Sequence, residues 1–178
     1  MSEVFYYYGK NSSYVFEQFI RHFLISIYGV LFAALIAIPL GFFVARRKKL
    51  SRITISIANV MQTIPSLAML AILMFAIGTG PNTVVFAVFL YAILPILKNT
   101  VSGINSVTPE LIDAATGMGM TKKQLMTKVE LPLAISIIMG GIRNALVLAI
   151  GVTAVGTFIG AGGLGDIITC LLYTSPSP

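Results

Sequence analysis

The length of the uncharged stretches in this chain constrains its fold more than any other feature. Residues 53–97 contain no Asp, Glu, Lys or Arg, and residues 23–45 form a second uncharged stretch. At 1.5 Å per residue, the second stretch makes a helix of roughly 34 Å, enough to cross a hydrocarbon core of about 30 Å. The sequence therefore predicts an all-α fold, that of a polytopic helical membrane protein.

Composition argues against a water-soluble domain. Of the 178 residues, 57% are hydrophobic and 10% are charged, and the mean hydropathy is +0.93. A soluble domain carries about 25% charged residues because its surface must be solvated. The single cysteine, Cys170, also excludes an intramolecular disulfide and a zinc site built from cysteines.

Four membrane spans are predicted. A cluster of turn residues at 78–82 divides the long uncharged stretch into two spans. The predicted spans cover residues 23–45, about 53–77, about 83–97, and a fourth within 131–159. Between the last two spans lies the one long polar segment of the chain, at residues 99–130.

The polar segment carries the signals of two short helices. Thr108 is a suitable N-cap and Pro109 suits the first helical position, so a helix should run from there to about residue 118. Gly119 is expected to end it. Residues 121–124 have the Thr-x-x-Gln spacing of a capping box, which predicts a second helix to about residue 130.

Basic residues indicate how the chain is oriented in the membrane. If the spans alternate, two basic residues, Lys10 and Arg21, lie on one side and nine lie on the other. The nine, on the side predicted to be cytoplasmic, are Arg46, Arg47, Lys48, Lys49, Arg52, Lys98, Lys122, Lys123 and Lys128. We therefore expect residues 1–18 to form an extracytoplasmic N-terminal segment and the 99–130 loop to be cytoplasmic.

No pattern indicates catalysis or cofactor binding by this chain. Residues 160–165 fit G-x-G-x-x-G, but a dinucleotide site needs a preceding strand, and here a membrane span precedes the motif. A phosphate-binding G-x-x-x-x-G-K-S/T loop is absent from the sequence. The single histidine, His22, is interpreted as interfacial, and the six acidic residues lack metal-ligand spacing. We expect no enzyme activity, bound cofactor or metal in this chain.

Three features are candidates for a transport pathway. Arg143 is a charge within the fourth apolar stretch, which suggests function, unless the span begins later and leaves it at the cytoplasmic boundary. Gln62 and Pro65 lie in the middle of the second span, where they indicate either an irregular helix facing a pathway or polar packing between helices. Four glycines form either a bending gate or a passive loop: Gly160, Gly162, Gly163 and Gly165.

The most specific motif lies in the polar segment. Residues 113–119, DAATGMG, are followed after nine residues by VELP at 129–132. This pattern resembles the Glu-Ala-Ala motif of ABC-importer permeases in every spacing, with Asp113 in place of Glu and Val129 in place of Ile. In that family the motif docks onto a separate ATPase. The residues to which the resemblance assigns ATPase coupling are Asp113, Ala114, Ala115, Gly119, Leu131 and Pro132.

The coupling assignment also has a physical basis. Small alanines form a face that a partner's cleft can approach closely. Gly119 permits the sharp turn that presents the first helix. Pro132 is expected to begin the return of the chain into the membrane.

Other segments narrow the resemblance to the osmoprotectant-uptake permeases, over about residues 14–168. They are QTIPS at 62–66, LYAILPI at 90–96, GMGM at 117–120, GIR at 141–143 and IGAGGLGD at 159–166. The resemblance implies a type I ABC importer transmembrane fold and import of glycine betaine, carnitine or choline. It also implies a second permease subunit, identical or different, and cytoplasmic ATPase subunits that bind ATP and Mg. An extracytoplasmic substrate-binding protein completes the expected assembly in a bacterial inner membrane.

The end of the chain departs from the family pattern. The resemblance defines residues 19–168 as the transmembrane domain and implies a fifth span after Asp166. Residues 169–178 are too short to span a membrane and are interpreted as an atypical, non-native tail. On this interpretation four spans are present, the fifth is missing, and the chain as it stands should assemble poorly.

Two other functions are compatible with the sequence. A permease for methionine or another small solute would share the fold and differ in its substrate-binding protein. A membrane scaffold or channel that works without an ATPase would require the 113–132 spacing to be coincidental.

Overall fold

A computed structural model describes residues 11–174 of the chain, and within this range it is built from helices and short connections. The elements, in order, are α1 (Ser12–Ala45), α2 (Lys48–Thr63), α3 (Ser66–Ile77), α4 (Pro81–Asn105), α5 (Pro109–Gly117), α6 (Lys122–Leu125), a π-helical turn (Met126–Glu130), α7 (Leu131–Val155), a 3₁₀ turn (Gly156–Ile159) and α8 (Leu164–Thr174). The all-α prediction is confirmed.

The centre of the fold is a bundle of the three long helices α1, α4 and α7. Small residues let the helices approach closely, which is how helices associate in a membrane. A Cβ placed on Gly41 of α1 would lie 2.6 Å from the Thr100 side chain of α4. One placed on Gly141 of α7 would lie 2.8 Å from the Pro95 carbonyl oxygen of α4. Both glycines therefore set the distance between helices.

The first membrane helix is longer than predicted. α1 begins at Ser12, so residues 12–18, which were expected to be part of a separate outer segment, continue the helix of the span. Its 34 residues include the predicted stretch at 23–45. Residues 1–10 lie outside the described part of the chain.

The second predicted span is not one straight helix, and this corrects the expectation of a single span at 53–77. α2 and α3 are separated by Ile64 and Pro65 and are bent by 96°. Pro65 cannot donate a backbone hydrogen bond, and it favours an extended conformation at the preceding residue. Ile64 is extended, with φ −71° and ψ 127°. The chain thus has three helices that could cross a membrane, or four if the bent pair counts as one span.

The last long helix begins earlier than predicted, at Lys122, and runs without a break to Ile159. Pro132, the expected re-entry point, lies in the first turn of α7 within this continuous helix, so the helix itself does not begin there. Its place as the point of return into the membrane stays a prediction. The π-helical turn before Leu131 explains why a proline can lie within this continuous helix. The Leu131 N–H already bonds to the Met126 carbonyl, five residues back, so the ladder is shifted just before the proline.

The bundle has two ends with different chemistry. At the basic end, Arg46 at the end of α1 contacts Glu130 before α7. At the glycine end, the Gly80 N–H donates to the Ile159 carbonyl, and residues 160–165 lie against the beginning of α1.

Candidate coupling segment and polar groove

The coupling segment, residues 109–132, has the predicted form in part. α5 is a separate short helix, whereas the second predicted helix is the beginning of the long helix that runs from Lys122 to Ile159. α5 begins at Pro109 with Thr108 as N-cap. It ends in a turn in which Gly119 has φ +79°, and the Met120 N–H donates to the Ala115 carbonyl at 3.2 Å. Only glycine takes this φ without strain, so Gly119 sets the direction in which the chain leaves α5.

The second helix begins with the predicted capping box. The Gln124 N–H donates to Thr121 Oγ1 at 3.3 Å, and the Thr121 N–H donates to Gln124 Oε1 at 2.8 Å. Both N–H groups would otherwise lack partners at a helix start. The turn between α5 and α6 is therefore held at both of its ends.

Glu110 adds a further local stabilisation at the start of α5. Hydrogen bonds from its own backbone N–H and from the Thr108 side chain lower the pKa of its carboxyl group. A depressed pKa means that the folded state favours the carboxylate, so the contribution is present above the ordinary pKa and lost as the pH falls through the depressed one. The carboxylate is fully exposed, so water screens this effect.

The residues assigned to ATPase coupling differ in how exposed their side chains are. Asp113, Ala114, Gly119, Leu131 and Pro132 are exposed. Ala115 is 2% exposed, because it faces the interior of this chain. The expectation that both alanines form a face for a partner is therefore wrong for Ala115, since consecutive residues of a helix point about 100° apart.

A polar groove runs along the broken span. One cavity of about 450 Å³ is lined by residues 62–66, by Tyr91 and by α7, and a second of about 490 Å³ shares Gln62. The second is lined by Gln62, Leu94, Pro95, Lys98, Asn99, Ser102, Asn144 and Leu148. Gln62 and Pro65 therefore line adjoining cavities, together called the polar groove, between α2, α3, α4 and α7.

Hydrogen bonds from side chains hold the break that forms this groove. Tyr91 Oη donates to the Ile64 carbonyl at 2.5 Å, and Gln62 Nε2 donates to the Tyr91 carbonyl at 2.8 Å. Thr63 Oγ1 donates to the Val60 carbonyl at 2.7 Å. The bonds from Tyr91 and Thr63 satisfy carbonyls next to the helix break, as an irregular helix in an apolar environment requires. The bond from Gln62 satisfies the Tyr91 carbonyl within α4, which has no helical donor because Pro95 lies four residues on.

Arg143 lies apart from this groove. It is exposed in the middle of α7 and lines another surface cavity of about 400 Å³, with Ser136, Met139, Gly140, Ile142 and Leu146. No ion pair to Arg143 is found among residues 11–174. A charge in the middle of an apolar helix is expensive to expose to lipid, so this face is suited to a protein partner or to water.

The glycine segment, residues 160–165, is a closely packed bend. Gly160, Gly162 and Gly163 have φ of +76°, +75° and +93°. A Cβ on Gly165 would collide with the Ala154 carbonyl oxygen. Helices flank the segment on both sides, so the strand that a dinucleotide site requires does not precede it.

Polar side chains of α1 hold this bend, and sequence reasoning missed them. The Gly163 N–H donates to Gln18 Oε1 at 2.6 Å, and the Leu164 N–H donates to His22 Nδ1 at 3.3 Å. His22 is 3% exposed, so its side chain is buried within the protein, while its position at the membrane interface stays a prediction. The sequence feature that could have identified these residues is the four-residue spacing of Gln18, His22 and Ser26, which places three polar side chains on one face of α1.

A bundle of apolar helices with a capped helical projection at one end and a polar groove along its side defines a class, the membrane subunit of a transport system. The comparisons with known proteins identify the family. Residues 37–175 match the profile of the "binding-protein-dependent transport system inner membrane component" family. The chain belongs to this family and is a membrane protein.

Curated relatives match over nearly the whole chain. The carnitine transport permease OpuCD of Listeria monocytogenes is 62% identical over 91% of this chain and 73% of its own length. The glycine betaine/carnitine/choline permease OpuCD of Bacillus subtilis is 57% identical over 91% of this chain and 71% of its own length. The choline permease OpuBD of the same organism is 53% identical over 94% of this chain and 74% of its own length. All three are permease subunits by name.

Solved structures agree on the fold. An inward-facing form of the methionine ABC transporter MetNI superposes with a TM-score of 0.77, covering 93% of this chain and 83% of that one, at 24% identity. The type I ABC importer transmembrane fold is thereby confirmed. The family profile includes residues 169–175, part of the tail interpreted as atypical, and α8 extends to Thr174. Whether that tail is non-native stays a prediction.

Proposed function

We propose that this chain is the transmembrane permease subunit of an ATP-driven importer for quaternary ammonium osmoprotectants. The observation that carries the substrate class is the 53–62% identity to permeases named for carnitine, choline and glycine betaine. ATP hydrolysis, with bound ATP and Mg, takes place in separate cytoplasmic ABC ATPase subunits. A second permease subunit and an extracytoplasmic substrate-binding protein complete the importer.

The coupling segment is the proposed ATPase contact. Its exposed residues, Asp113, Ala114 and Gly119, lie on a helical projection held by the capping box at 121–124. A rigid projection transmits displacement better than a flexible loop, because little of the movement is lost in local rearrangement. The nine-to-two distribution of basic residues supports a cytoplasmic position for this end and an outer position for the N-terminus.

The polar groove is the proposed solute pathway. Its lining combines the amides of Gln62, Asn99 and Asn144 with apolar side chains, and it includes one charge, Lys98. Neutral polar groups replace part of the hydration of a zwitterion without binding it tightly, which suits passage. Arg143 is proposed to face the second permease subunit. The glycine segment is proposed to lie at the outer gate.

Uptake in cells lacking their own osmoprotectant transporters tests this proposal. The permease is expressed with ABC ATPase and substrate-binding subunits, and labelled glycine betaine, carnitine, choline and methionine are offered separately. We expect uptake of quaternary ammonium compounds that disappears when the ATPase is inactivated. Methionine uptake alone would identify a different importer, and uptake without an active ATPase would identify a channel.

A further inference from the structure

An ion pair at the basic end joins the end of α1 to the turn that precedes α7. Arg46 Nη2 donates to Glu130 Oε1 at 2.7 Å and to Glu130 Oε2 at 2.8 Å. It is the one salt bridge found within residues 11–174. Its partners are 84 residues apart in sequence, so it connects elements that the backbone does not.

Burial of the Glu130 carboxylate strengthens its dependence on Arg46. The Glu130 side chain is 3% exposed, whereas that of Arg46 is 46% exposed. A buried carboxylate depends on its cation, because it has lost its hydration and gains nothing comparable elsewhere. Glu130 is therefore held to Arg46, while the neighbouring basic residues Arg47 and Lys48 are exposed to solvent.

The position of the pair links three parts of the molecule. Arg46 is the C-cap of α1, and Glu130 is the last residue of the π-helical turn, within the coupling segment and directly before α7. A cavity of about 340 Å³ at the pair is also lined by Ile112 of the coupling helix α5, by Ile104 and Asn105 at the end of α4, and by Val107 after it. α4 and α5 are also joined through the chain by residues 106–108. α1 meets this region through a charged, hydrogen-bonded contact.

We propose that the Arg46–Glu130 pair is a direct connection through which displacement of the coupling segment reaches α1, in addition to the packing of α1 in the bundle. α1 also holds the glycine segment at the opposite end, through Gln18 and His22. Movement of the ATPase at one end of the molecule is thereby transmitted along a single 34-residue helix to the bend at the other end. Arg46 and Glu130 are positioning residues, and the inference rests on the proposed function.

Spin labels test the connection itself without transport. Cysteines replacing the exposed residues Phe43 and Lys123, in a Cys170→Ser background, report the distance between α1 and the coupling segment in nanodiscs. Glu130→Gln should broaden the distance distribution, and Arg46→Glu combined with Glu130→Arg should narrow it again. Arg52→Gln, which removes a nearby exposed charge, is the matched control and should change nothing. An unchanged width in Glu130→Gln would overturn the inference.

The reconstituted importer tests whether displacement of the coupling segment is transmitted to α1 during transport. In proteoliposomes, solute taken up per ATP hydrolysed should fall at least about fivefold in Glu130→Gln, the lower range of ordinary coupling between sites. Arg46→Lys, which keeps a charge pair, should stay near the wild-type ratio. A purely structural role would lower the amount of assembled importer and leave the ratio unchanged, which would overturn the inference. Absence of ATP-dependent uptake in the wild type would overturn the proposed function and this inference with it.

Discussion

Gly119 shows how much depends on the backbone of one residue. Its φ of +79° closes α5, and a Cβ there would meet no atom within 4 Å. The restriction is therefore conformational and not steric crowding by neighbours. Gly117, two residues earlier, is helical and equally open, so it offers a matched position without the special φ.

We predict that Gly119→Val disturbs the coupling segment by about 1–2 kcal/mol, the approximate cost of a left-handed conformation for an L-residue. ATPase subunits should then co-purify less well with the permease. Gly119→Asn should be milder, because asparagine tolerates this region, and Gly117→Ala should have no effect. Equal co-purification by the valine and alanine variants would contradict the assignment of Gly119.

Neighbouring alanines of α5 should respond differently to the same substitution. Ala114→Glu places a charge on the exposed face and should weaken ATPase binding while leaving thermal stability of the purified permease unchanged. Ala115→Glu places a charge at a position 2% exposed and should lower that stability, because the carboxylate is buried without a partner. Thermal unfolding and ATPase pull-down of both variants check this, and the same profile for both would argue against it.

Among whole elements, the glycine segment is one whose conformation depends on another helix. Its N–H groups at Gly163 and Leu164 are satisfied by side chains of α1. The Thr157 hydroxyl donates to the Asp166 carboxylate and ties the 3₁₀ turn to α8. These bonds satisfy N–H groups of the bend and hold it against α1 and α8.

Gln18→Leu should loosen this bend. It leaves the buried Gly163 N–H without an acceptor, which costs about 1–3 kcal/mol. Hydrogen exchange in nanodiscs should show faster exchange over residues 160–166 and the first turn of α8. Glu17→Gln changes the adjacent exposed residue and serves as control. Equal exchange in both variants would mean that α1 does not hold the bend.

At the scale of the whole molecule, the two ends of the bundle should face opposite sides of the membrane. Single cysteines at Asn82, near the glycine end, and at Lys123, in the coupling segment, test this in a Cys170→Ser background. An impermeant reagent added outside cells should label position 82 and leave position 123 unlabelled until the membrane is opened. Labelling of position 123 from outside would reverse the proposed topology.

Much of the architecture was readable from the sequence because its causes are local. Uncharged length predicted membrane helices, and Thr108, Gly119 and the capping box at 121–124 predicted the form of the coupling segment. Each depends on one residue or on residues within one helical turn. The motif at 113–132 likewise identified the family through spacing along the chain.

Features that depend on distant residues were decided only by the tertiary structure. Pro65 predicted an irregularity, but the 96° bend is held by Tyr91 of another helix. Helical periodicity did not say which of the two coupling-helix alanines faces inward. Nor could the sequence pair Arg46 with Glu130, or α1 with the glycine segment, because nothing local marks partners 84 or 145 residues apart. A helix is specified by its own turns, whereas its partners are specified by the packing of the whole bundle.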